Sequence, residues 1–230
     1  MNRDLKKAIA FLLVGATLAM ISDLEPLDRA ADANLVIHHL QHVIIIFGGF
    51  SVGFGLADLY RVHWNEKWER FKGAWARLNR GGYLAAGIFV AVFSFWHIPS
   101  AFTFTILPGN EAIHFLEHAM FFATSVLLVA ATPFMSRTFK AVYIFVFGNM
   151  NSMMGVLYSV WGTNLFAPYP AYQQDQFGLL MSATGFFTMM MGTFVYVYLS
   201  ERRVNSTRGT GPLAPLSETA RADRKEEPSS

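Results

Sequence analysis

The sequence of 230 residues contains no cysteine. Disulfides, zinc ribbons, iron–sulfur clusters and C-x-x-C copper carriers are therefore excluded. Charge is also scarce. Asp, Glu, Lys and Arg make up 15% of the chain, against about 25% in an average soluble domain. The net charge of +2 says little about partners. Nothing in the chain resembles a nucleophile–base set, a phosphate loop or a nucleic-acid-binding surface. What fills the space is apolar: 53% of residues are hydrophobic and 15% aromatic, with a mean hydropathy of +0.33.

The apolar residues lie in long runs broken by short polar segments, the pattern of a polytopic membrane protein. The spanning rule of ~20 residues predicts six helices, at about 7–23, 35–60, 83–107, 111–135, 138–161 and 175–200. The expected fold is all-α: a transmembrane helix bundle forming one domain over residues 1–200. The first apolar core, Ala8 to Ile21, is short and follows Arg3, Lys6 and Lys7. It lacks a small-x-small cleavage pattern before Asp23 and reads as an uncleaved anchor. Residues 201–230 are rich in Ser, Pro, Glu and Arg and are expected to be disordered.

The placement of charge orients these six segments. Every Lys and Arg except Arg29 falls on one side of the alternating arrangement: before the first helix, between Arg61 and Arg80, at Arg137 and Lys140, and in the tail. The positive-inside rule then puts both termini in the cytoplasm of a multi-pass protein of the cell membrane. Asp23, Glu25, Asp28, Asp32, Glu111 and Asp175 carry the opposite side. Between residues 61 and 80, Trp64, Trp68, Phe71 and Trp75 recur at helical spacing among basic residues. They predict an amphipathic helix on the inner membrane surface.

Six of the seven histidines fall inside the expected membrane helices. Ionisable groups are costly there and are usually functional. His38, His39 and His42 open the second helix, and His114 and His118 open the fourth. His97 lies in the outer half of the third, within Trp96-His97-Ile98-Pro99. The alternation places all six at one depth, in the outer leaflet. His38 and His42 are i,i+4 and share a face, as do His114, Glu117 and His118. Such a set suits a metal ion or a haem. Glu117 is a candidate ligand, or a group that orients a ligating imidazole. Met150, Met153 and Met154 in the fifth helix add thioether sulfur, which suits Cu(I), and Asp175 opens the sixth on the same side. Methionine is also a common core filler. His63 reads as an interfacial residue.

Four segments in order resemble the CtaG family of cytochrome c oxidase assembly membrane proteins, the cysteine-free group associated with caa-type oxidases. Short, mainly archaeal membrane families are similar. His38-x-x-Gln41-His42, with His39 at the first motif position, looks like the family's H-x-x-Q-H segment, and Trp96-His97-Ile98-Pro99 looks like its W-H-x-P turn. His114-x-x-Glu117-His118 looks like H-x-x-E-H. Tyr169-Pro170-Ala171-Tyr172, with Asp175-Gln176 through Met181, looks like Y-P-x-Y and D-Q-x-x-G-L-x-M. The family usually has about seven helices, and Ser182 stands where it commonly has tryptophan.

The resemblance implies a role in maturing a haem–copper terminal oxidase by handling copper on the outer face. The partners it implies are an oxidase subunit or a periplasmic-side copper carrier, besides the lipid. An inner ligand set of His42, His97 and His118 is expected, with His38, His39 and His114 as an access or second set. Two rival readings remain at this stage. One is a haem b redox subunit with axial histidines such as His42 and His118. The other is a metal-free assembly scaffold.

Overall fold

The computed structural model describes residues 3–63, 65–161 and 163–208. The side chains of residues 60–68, 71–72 and 195–208 lie outside what it describes. Among the described residues the chain is all-helical. Helix α1 (Arg3–Ser22) leads into a short α2 (Glu25–Ala33), then α3 (Leu35–His63) and α4 (Asn65–Leu78). Next come α5 (Tyr83–Trp96), α6 (Pro99–Thr105), α7 (Glu111–Ala131), α8 (Arg137–Val160) and α9 (Ala171–Arg208). Five of these are long and apolar enough to cross a membrane, and the bent pair of α5 and α6 makes six. The chain is a helical membrane protein.

Three elements depart from the expected boundaries. The third span is not one helix: α5 and α6 meet at 75° around His97 and Ile98. Pro99 causes the break. Its ring disfavours helical backbone at the preceding residue, and Ile98 is accordingly extended (φ −67°, ψ 125°). Proline then suits the first turn of α6, where no N–H is required. Helix α2 lies in a segment expected to be loop, with a proline in its first turn. Asn34 ends it and starts α3, its side-chain carbonyl accepting from the Val36 and Ile37 amides. Helix α9 begins before residue 175, directly after Pro170, and continues past residue 200 to Arg208. The rest of the expected tail, 209–230, lies outside the described residues. The expected basic helix is present as α4. The side chains of Trp64, Trp68 and Phe71 lie outside the described residues, and Trp75 packs at the edge of the main core.

Close backbone approaches hold the bundle together, as is usual where lipid offers no hydrophobic drive between helices. A Cβ on Gly49 of α3 would lie 2.5 Å from the Phe122 carbonyl of α7. That contact sets the two histidine-bearing helices against each other. Gly155 of α8 and Gly178 of α9 meet in the same way, a Cβ on Gly155 falling 2.4 Å from the Ser182 amide. Two apolar clusters fill the interior. One joins Ile45, Phe89, Phe93, Trp96 and Phe121. The other joins Leu35, Phe102, Tyr158, Phe166, Phe177 and Met181. Large apolar side chains such as Leu13, Phe47, Phe95, Val146, Leu179 and Phe187 face outward. The imidazoles of His38, His39, His42, His97 and His118 face inward, with Glu117, Gln173 and Gln174.

Candidate metal centre

The six histidines of the membrane helices gather at one end of the bundle, as their alternation requires, but they divide into two groups. One ligand atom from each of His38, His42, His114 and His118 lies within 4.8 Å of every other. His38 and His42 stand one turn apart on α3, and His114 and His118 one turn apart on α7. The Gly49 approach brings the two pairs together. The Nε2 atoms of His38 and His42 are 3.1 Å apart. The ring centroids of His114 and His118 are 4.3 Å apart. Glu117 is fully buried, and its carboxylate reaches to 3.4 Å from His42 Nε2.

The second nitrogen of each ring decides which atoms are free to bind. The Tyr169 hydroxyl donates to the Ala31 carbonyl at 2.8 Å. Its remaining lone pair therefore accepts from His38 Nδ1 at 2.9 Å. Burial first, and then the carboxylates of Asp32, Glu117 and Asp28, push the Tyr169 phenol above its ordinary value, so it keeps that proton. His38 Nε2 then accepts from His42 Nε2 at 3.1 Å, which leaves His42 Nδ1 buried without a partner. His118 Nδ1 donates to Asp23 at 2.9 Å, leaving His118 Nε2 buried with no hydrogen-bond partner. His114 Nδ1 lies 4.0 Å from Asp28, and its Nε2 is likewise buried and unpartnered. Gln41 holds Asp28 in place, donating to it at 3.1 Å and to the Ser22 carbonyl at 2.7 Å. Both Glu117 oxygens lack a hydrogen-bond donor.

Buried polar atoms are nearly always paired. Five unpaired atoms here (His42 Nδ1, His114 Nε2, His118 Nε2 and both Glu117 oxygens) sit on residues of one group. Histidines that bind metal typically donate their other N–H to a carboxylate, carbonyl or hydroxyl, as His38 and His118 do. A tetrahedral four-nitrogen site with bonds of about 2.0–2.1 Å needs nitrogens roughly 3.4 Å apart. The four imidazoles would close in by on the order of an ångström. The residues fit a compact cation.

His97 does not join this set, which corrects the expected inner trio of His42, His97 and His118. Its Nδ1 donates to the Phe93 carbonyl at 2.7 Å, and its ring stacks on Phe93 at 4.0 Å. That geometry turns Nε2 toward His39 Nδ1, 3.4 Å away, as the acceptor of a histidine pair. His39 lies about 100° round α3 from His38 and packs on Phe177 of α9. The Tyr158 hydroxyl donates to the His97 carbonyl at 2.5 Å, satisfying a carbonyl freed by the break.

The remaining expected ligands are seated elsewhere. Met150 packs on the main core, where Ser94 Oγ contacts its sulfur at 3.9 Å. Met153 faces outward, 65% exposed, beside Asn149. Met154 packs against the second core. Asp175 is exposed on α9, while Gln173 and Gln174 turn inward to bind the Leu35 amide and the Tyr158 carbonyl. Tyr169, Asp23 and Asp28 were missed as supporting groups. The one signal for the two aspartates was their expected position on the same side as the histidines.

Comparison of the chain with protein-family models, curated proteins and solved structures gives no significant match. A functional reading rests on the residues themselves.

Proposed function

We propose that the protein is a copper-binding membrane protein that holds one ion among His38, His42, His114 and His118, in the service of haem–copper oxidase maturation. The observation that carries the metal reading is the convergence of four imidazoles, three of which keep a buried nitrogen without a partner. Imidazole suits copper, zinc and iron, and divalent copper binds nitrogen sites most tightly of the common first-row ions. Glu117 supplies a negative charge against the cation's charge. The distribution of Lys and Arg supports placing the site at the outer face of the cell membrane. The oxidase client is supported by the order of the four sequence segments.

Haem b fits less well. The imidazoles lie in contact with one another, with His42 and His118 ring centroids 5.4 Å apart and Phe121 packed on His42 at 4.8 Å. A planar macrocycle needs an open slot between its axial ligands. The test is to purify the protein in mild detergent, record its absorption spectrum and measure copper, iron and zinc. About one copper per chain without a Soret band is expected. A Soret band with stoichiometric iron would overturn the copper reading. Absence of metal after copper loading would favour a scaffold.

Two further results are expected. Removing the Tyr169 hydroxyl in Tyr169→Phe leaves His38 Nδ1 without its acceptor, and copper affinity falls by about 10–100-fold. Titration against a competing chelator measures it, and an unchanged affinity would remove Tyr169 from the site. Copper retention also falls as pH drops, because an imidazole must be neutral to ligate. Dialysis at stepped pH should show metal lost as the medium is acidified. Retention that does not depend on pH at all would argue against imidazole ligands.

A further inference from the structure

We propose that hydrated cations reach the imidazole group through an acidic cleft between α2 and the loop joining α6 to α7. This rests on the metal-site reading above. The cleft has a volume of about 460 Å³ and is lined by Asp23, Asp28, Asp32, Glu111, His114 and His118, among others. No Lys or Arg lines it. Arg29, on the same short helix, is turned to Glu25 instead. His114 and His118 line its inner end, with only 12% and 6% of their side chains exposed. An acidic rim alone would be a solvated surface. Here the two rings that line it each keep a buried Nε2 without a partner, so the cleft ends on the imidazole group.

The other approaches are poorer. On the α9 side, Leu35, Phe102, Phe166 and Phe177 form a closed apolar cluster over the group. Toward the bundle centre Phe121 closes it, packed on His42 at 4.8 Å. A smaller crevice of about 170 Å³ also reaches His118 and Asp23, but Ala19, Ile45, Phe115, Ala119 and Phe122 line most of it. A hydrated ion entering there would lose water to apolar carbon, at high cost.

Asp23 and Asp28 belong to both regions. They line the cleft, and Asp23 holds the outer nitrogen of His118 while Asp28 approaches that of His114. A cation passing along the carboxylates is therefore delivered to the rings those carboxylates orient. Burial, and after it the charge of Asp28, push the Asp32 carboxyl above its ordinary value. The like charges crowd one another in a way a passing cation relieves. Clefts lined by one sign of charge concentrate counter-ions and raise association rates by about 10–10³-fold, an effect that salt suppresses.

The test follows uptake of Cu(II) by the full chain in detergent, read by stopped-flow quenching of tryptophan emission. The variant is Asp32→Asn with Glu111→Gln, which spares the imidazoles and the carboxylates facing them. We expect it to bind one Cu(II) as the wild type does, with association about tenfold slower at low salt and little further slowing as salt rises. A second arm uses the absence of cysteine. Leu107→Cys, on the cleft wall, is labelled with a bulky maleimide, and Val160→Cys, exposed at the end of α8, serves as control. Labelling at 107 should block uptake and labelling at 160 should not. Unchanged rates in the double variant, with uptake unaffected by the label at 107, would overturn the route while leaving the site. Failure of the wild type to bind Cu(II) would overturn the site, and the route with it.

Discussion

Replacing His42 and His118 together with alanine is expected to abolish copper binding. Each of the facing helices keeps one imidazole, and a chelating pair is gone from both. Four-ligand structural sites are worth about 10–16 kcal/mol, or roughly 3–4 kcal/mol per ligand. Losing two therefore weakens binding by on the order of 10⁴-fold or more. The chain with His39 and His97 both changed to alanine is the informative comparison. Those rings pair with each other at 3.4 Å rather than with the group, so that variant keeps its copper. Chelator competition on both proteins measures the difference. Copper should also raise the melting temperature of the wild type and leave that of the His42→Ala, His118→Ala protein unmoved, since a ligand stabilises only a state that binds it. Equal copper affinity in the two double variants would mean that the four-imidazole group is not the site.

Gly155→Leu is expected to separate α8 from α9. A Cβ there meets the Ser182 amide at 2.4 Å and the Gly178 carbonyl at 2.5 Å. Both are backbone atoms of the facing helix and cannot swing aside. Ordinary overpacking costs about 1–3 kcal/mol when side chains can yield. Here the helix axis must move, and a cost of about 3 kcal/mol or more is expected. Tyr158, three residues on, then loses its position over the His97 carbonyl. Gly87→Leu on α5 is the control, because nothing lies within 4 Å of a Cβ at that position. Size-exclusion profiles and thermal melts of the two proteins in one detergent decide the matter. Similar behaviour would show that α8 and α9 do not cross at Gly155.

The histidine spacing was the part of the site most legible in the chain. An i,i+4 pair shares a face whatever else the helix does, so His38 with His42, and His114 with His118, follow from helical geometry alone. Depth was legible as well, because spans of fixed length that alternate in direction leave little freedom. The partition of the six rings was not legible. It turns on the rotamer of His97, which stacks on Phe93 and bonds the Phe93 carbonyl, and no spacing rule reports that. The break at His97 was half-visible. Pro99 marks it, but a continuous apolar run through Phe104 reads as one span. Only the fold shows that the chain turns by 75° there.

The methionines show the opposite error. Met150, Met153 and Met154 lie near one end of their helix in sequence, and proximity along the chain suggested a shared role. On a helix Met153 points away from the other two and faces outward. Met150 and Met154 share a face, but one turn apart they pack against different clusters.

By itself the sequence determined that the protein is an all-helical membrane bundle, that it carries no cysteine chemistry, and that six of its seven histidines belong toward one end of that bundle. Hydropathy, residue counts and helical period are properties of the chain read locally, so they survive without coordinates. The tertiary structure decided which imidazoles form a group, and which distant residues hold them. Asp23 and Tyr169 lie 95 and 131 residues from the rings they bond. Contacts of that kind arise only when helix packing brings remote segments together, and packing depends on the close approach of glycines such as Gly49 and Gly155 rather than on any pattern along one helix.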